Sequence, residues 1–207
     1  MSNGDLLRWG GRSAHIAAGL FTISIAAYWV TGGLEFRAWV PLFSVFACFL
    51  IVASLAAYDL LAQHQYSLAR IGAAFAALTL FTFLLEAVAW GADRMIRDSS
   101  AAASEALAPM LALFNSLHTM VIWLVIFWNV PWGLGFIRLG GRWKMAGVFF
   151  CLNAAFLVVD YLLLRLGQTG LVVDLWHLGS QLMLLGALSV LGVLLVEASS
   201  AAGTSSS

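Results

Sequence analysis

Six apolar stretches, at residues 14–31, 38–61, 71–90, 107–130, 145–166 and 171–196, limit what this chain can become. Each has about the length a helix needs to cross a hydrocarbon layer ~30 Å thick, at ~1.5 Å of rise per residue. A spanning segment must satisfy its own backbone N–H and C=O groups, and a single segment does so only as an α-helix. We therefore expect an all-α integral membrane protein, a bundle of six transmembrane helices within residues 1–196. The remainder, 197–207, is Ser/Ala-rich with too little apolar content to pack and reads as a disordered tail. Composition agrees, because 62% of residues are hydrophobic and 10% charged, against roughly 45–50% and about 25% in soluble domains.

The tryptophans sharpen the picture. Trp29, Trp39, Trp90 and Trp176 fall at one set of helix ends, and Trp9, Trp128, Trp132 and Trp143 at or near the other. Indole rings favour the headgroup boundary, which leaves Trp123 as the one deep ring. Pro41 and Pro109 fall in expected first turns, where a missing N–H does little harm, and Pro131 falls after an expected helix end. With the N-terminus inside, inner segments hold Arg8, Arg12, Arg70, Arg138, Arg142 and Lys144, while outer ones hold Arg37, Arg94, Arg97 and Arg165. That excess favours an N-in, C-in topology. The first run is long for a signal-peptide core and ends without a small-residue cleavage site. Compactness and short loops suit a prokaryotic inner membrane. The net charge is zero, with no basic patch to suggest nucleic acid. Cys48 and Cys151 lie far apart inside runs and read as packing residues.

One phrase recurs: "RWGGR" at 8–12 and "RLGGR" at 138–142, with a weaker "RIGAA" at 70–74. All three precede odd-numbered runs, so three helical-hairpin repeats are an expectation. Glycine N–H groups beside Arg8, Arg12, Arg138 and Arg142 have the chemistry to hold a lipid headgroup. A boundary role, with glycine ending one segment and arginine anchoring the next, is the stronger reading.

Polar groups inside the runs carry the functional signal, because a charge at the centre of a span costs at least ~2.5–3.5 kcal/mol on insertion scales. Glu86 stands in run three, Asn115 and His118 in run four, Asp160 in run five, and Asp174, His177 and Gln181 in run six. Helical spacing aligns them: Thr79, Thr82 and Glu86; Asn115 and His118; Asn153 and Asp160; and Asp174, His177 and Gln181 each share a face. Their depths, about 6–16 Å from the nearest outer end, predict one polar cavity among helices three to six, lined by Glu86, Asn115, His118, Asp160, His177 and Gln181. The segment between runs three and four, 91–106, is expected to be a loop, either covering the cavity mouth or, as its Ala/Ser content favours, serving as a flexible connector.

Three classes of function follow. Carboxylates beside histidines in a low-dielectric site exchange protons, which suits binding of a small polar solute, ion or proton for transport or sensing. His118 and His177 are alternatively a pair of haem or metal ligands in a redox subunit. The third class is a non-catalytic scaffold or oligomer whose polar stripes join helices or a partner subunit. Hydrolase signatures such as HExxH and GxSxG are missing. The sequence specifies no cofactor.

Overall fold

The computed structural model describes residues 3–31, 36–97, 103–168 and 170–204. It has six helices: α1 (Asn3–Thr31), α2 (Phe36–Ala62), α3 (Tyr66–Arg97), α4 (Ala103–Leu139), α5 (Trp143–Arg165) and α6 (Leu171–Thr204). Among the described residues there is no strand, and α2 to α6 each carry a stretch long and apolar enough to cross a membrane. The corresponding part of α1 carries Arg8, Arg12 and His15 in its first half. Helices adjacent in sequence pack side by side, and α1 closes the ring against α6. α2 also reaches inward toward α4 and α6, whereas α3 approaches neither α5 nor α6 among the described residues.

Two turns show how the sequence sets the connections. α5 ends where Gly167 adopts φ +69°, a left-handed conformation that glycine enters without steric cost. Gln168 N–H then donates to Leu163 C=O at 3.0 Å and Gly167 N–H to Leu164 C=O at 3.1 Å, which satisfies the last carbonyls of the helix. Between α4 and α5, Gly140 (φ +76°) and Gly141 (φ +52°) make the reversal.

The recurring glycine phrase therefore has two unlike uses. At 138–142 it is a turn, as expected of a boundary. At 8–12 it lies inside α1, where a Cβ on Gly10 would overlap Ala56 and one on Gly11 would meet Val196 and the Gly192 carbonyl. The boundary reading fails there because those glycines admit α2 and α6 to close contact. Gly72, in the third echo, leaves room for the Trp132 ring.

Small residues make the other close approaches too, as expected when helices associate in lipid by packing. Gly133 and Gly147 bring the α4 and α5 backbones together, so that a Cβ on Gly147 would lie 2.5 Å from Gly133 O and 2.7 Å from Ile137 N. Phe149 and Phe156, seven apart on α5, seat against Gly186 and Gly179, seven apart on α6. Gly147→Ala is expected to cost about 1–3 kcal/mol, since the added methyl meets backbone that cannot yield. Gly19→Ala, with nothing within 4 Å of its added Cβ, is expected to be neutral or stabilising by up to ~1 kcal/mol. Reversible unfolding in detergent checks both, and equal losses would contradict the packing account.

Three expectations about α4 and α6 need correction. α4 runs through Pro109 and Pro131, so neither proline marks an end. A proline inside a helix costs ~3 kcal/mol or more, and the segment beyond Pro131 offsets this by burying Trp132, Phe136 and Gly133. Trp128 and Trp132, both 1% exposed, are core rings and not boundary anchors, packing edge-on to each other with Phe150 beside them. The segment from Glu197 is helical as far as Thr204, because Glu197 meets Arg142 at 2.6 Å and Ser199 is buried against its own helix. The expected loop 91–106 is likewise mostly helix, with α3 extending to Arg97 and α4 starting at Ala103.

Candidate functional site

α5 and α6 are antiparallel neighbours, and each turns one polar face toward the other. On α5 that face holds Asn153 and Asp160, seven apart; on α6 it holds His177, Ser180 and Gln181. Asp160 lies five residues before the end of α5, about 8 Å along the helix, and Asn153 is about 10 Å deeper.

The Asp160 side chain is 4% exposed, and its Oδ2 lies 3.1 Å from His177 Nδ1. The His177 ring, 37% exposed, reaches from that buried carboxylate toward the surface. Gln181 Nε2 lies 3.1 Å from His177 Nε2, and Trp29 Nε1 donates to Gln181 Oε1 at 3.2 Å. These contacts assign hydrogen positions by elimination. An indole N–H only donates, so the Gln181 oxygen accepts and its amide nitrogen faces His177. That nitrogen donates to Nε2, which leaves the His177 proton on Nδ1, where it donates to Asp160. The donors run Trp29, Gln181, His177, and Asp160 is the final acceptor.

A second branch leads inward. Asn153 Nδ2 donates to Ser180 C=O at 2.5 Å, while Asn153 Oδ1 accepts from Asn129 Nδ2 on α4. Asn129 and Asn153 are 0% and 2% exposed. Ser180 Oγ–H donates to the His177 carbonyl at 2.7 Å, joining the branches through α6. Asp160 Oδ1 and Asn129 Oδ1 are buried and accept no hydrogen bond among the described residues. A buried acceptor left so costs about 1–3 kcal/mol, so both oxygens stand open to a donor.

Of the six residues expected to share a cavity, Asp160, His177 and Gln181 meet. His118 is exposed on α4, and the side chains of Glu86 and Asn115 lie outside the described residues. The expected enclosure by helices three to six is corrected by the ring order: α1, not α3, lies against α6 and supplies Trp29. Sequence reasoning missed Trp29 because a tryptophan near a helix end reads as a boundary anchor, and missed Asn129 because Pro131 appeared to close its helix. Asp174 is exposed in the first turn of α6, where an acid suits the helix dipole. Arg165 donates to Tyr161 Oη at 2.9 Å.

The four arginines expected at headgroups are all exposed: Arg142 pairs with Glu197, Arg12 lies over the Trp9 ring at 5.7 Å, and Arg8 and Arg138 stand on helix surfaces. Among the described residues, no three His, Cys, Asp or Glu side chains cluster to hold a metal ion. His177 already uses both ring nitrogens within the protein, so an axial haem role would require breaking the contact to Asp160 or to Gln181. The chain matches no protein-family model, and neither the curated proteins nor the solved structures yield a match.

Proposed function

We propose that the protein handles protons at the Asp160–His177 pair in the course of transport across its membrane. One observation carries this reading: a carboxylate, 4% exposed and with one oxygen unpartnered, is hydrogen-bonded to an imidazole 37% exposed. Imidazole exchanges protons near neutral pH, and the partly exposed ring stands between the buried acid and the bundle surface. Asp160 is the charge-bearing group, His177 the exchanger, and Gln181 the group that orients it. A proton arriving at His177 Nε2 requires the Gln181 amide to turn and present its oxygen, which releases Trp29 on α1. Proton occupancy is thereby linked to a contact between helices.

The test is proton entry into vesicles holding purified protein, driven by a potassium diffusion potential and read by an enclosed pH dye. Wild type is expected to carry protons and Asp160→Asn to carry at least ~100-fold fewer. Equal rates in the two, or no protein-dependent rate in wild type, would reject the reading. The inner branch fits a structural role in addition, since Asn129 and Asn153 join α4, α5 and α6 as polar residues commonly join helices in lipid.

A further inference from the structure

Serine and threonine side chains inside these helices usually satisfy themselves. Thr22, Ser24, Thr79, Thr82 and Ser116 each donate to the carbonyl four residues back, at 2.7–3.0 Å. Ser54 departs from the pattern, being 9% exposed with an Oγ that has no partner among the described residues. It lines a cleft of about 250 Å³ between α2 and α3, together with Leu55, Tyr58, Ala73 and Ala77. Ile51 and Leu55 on one rim are 42% and 54% exposed, so the cleft opens on the outside of the bundle. Its α2 wall extends from residue 51 to 58, about 10 Å along the helix axis. Arg70 is exposed and stands three and seven residues before Ala73 and Ala77, on the same stripe and one turn beyond the cleft. Its guanidinium lies 5.4 Å from the Tyr66 ring centroid, near the start of α3, as a boundary cation does.

An apolar slot with a cation past one end describes an amphiphile, tail then anion, and the Ser54 oxygen lies buried beneath the slot. We propose that this cleft holds one acyl chain of an anionic glycerophospholipid whose phosphate pairs with Arg70. A neighbouring protein helix would fill the slot equally but would leave Arg70 without an anion. The site is separate from the Asp160–His177 pair and stands or falls independently of it.

The experiment is native mass spectrometry of the full chain in detergent, titrated with phosphatidylglycerol and phosphatidylcholine. Wild type is expected to retain one phosphatidylglycerol in preference to phosphatidylcholine. Arg70→Gln, an exposed substitution that leaves the packing alone, is expected to reduce that preference about fivefold. Ala77→Phe, which fills the slot, is expected to abolish retention of both lipids. An equal affinity of wild type for the two lipids, or an unchanged preference in Arg70→Gln, would overturn the proposal. So would a protein dimer that Ala77→Phe disperses, which would assign the face to a second copy of this chain.

Discussion

Vesicles carrying His177→Phe are expected to show proton entry at least ~100-fold below wild type, at the low end of what a positioned acid–base group contributes. Phenylalanine fills the same space between α5 and α6, so the bundle survives while the exchanger is lost. It also removes the one hydrogen bond described for Asp160, which leaves that carboxylate buried without a donor. Either substitution, His177→Phe or Asp160→Asn, breaks the same hydrogen-bonded pair. His177→Phe should therefore resemble Asp160→Asn, and the double variant should be no worse than either alone, as expected of groups acting as one unit. Trp29→Phe removes the N–H that fixes Gln181 and keeps an aromatic ring in its place, and a fall of about two- to fivefold is expected. Independent, multiplicative losses in the double variant would argue that the two residues serve different steps.

The second large effect concerns stability. Asn153→Ala is expected to lower unfolding free energy by about 2–4 kcal/mol, or the thermal midpoint by roughly 5–15 °C for a chain of this length. Asn153 is 2% exposed and ties α5 both to α4, through Asn129, and to α6, through the Ser180 carbonyl. Removing it opens a small cavity and leaves the whole Asn129 amide buried and unbonded. Adding Asn129→Leu should recover part of the loss, because replacing both members of a buried pair is milder than orphaning one. Thermal unfolding in detergent measures this cycle, and strictly additive losses would contradict the direct contact between the two amides.

Much of this architecture was legible in the sequence because hydrocarbon thickness imposes a length on each helix, and the apolar runs at 38–61, 71–90, 145–166 and 171–196 display it plainly. The ends were less legible. Pro131 looks like a terminus to local chemistry, but burial of Trp132 and Phe136 beyond it outweighs the broken backbone bond. Glu197 looks like the start of a tail until Arg142, 55 residues earlier, is found beside it. The grouping of Asp160, His177 and Gln181 followed from helical phase and from the adjacency of α5 and α6. Which further helix would join them depended on ring closure between α1 and α6. That closure rests on Gly11 against Gly192 and on His15 against Gly192, contacts that no periodicity announces. Trp29 was invisible as a site residue for the same reason.

The central claim is that His177, held by Gln181 and Trp29, keeps its proton on Nδ1 toward Asp160, which leaves Nε2 as the nitrogen that exchanges. Nitrogen NMR of the full chain with labelled histidine, in lipid bilayers, reads both ring nitrogens directly across about pH 5 to 9, with His177→Gln identifying the signals. We predict a single Nδ1–H tautomer for the neutral ring and a mixture of tautomers in Trp29→Phe. A wild-type neutral His177 that carries its proton on Nε2, or that mixes both tautomers as Trp29→Phe does, would contradict the account.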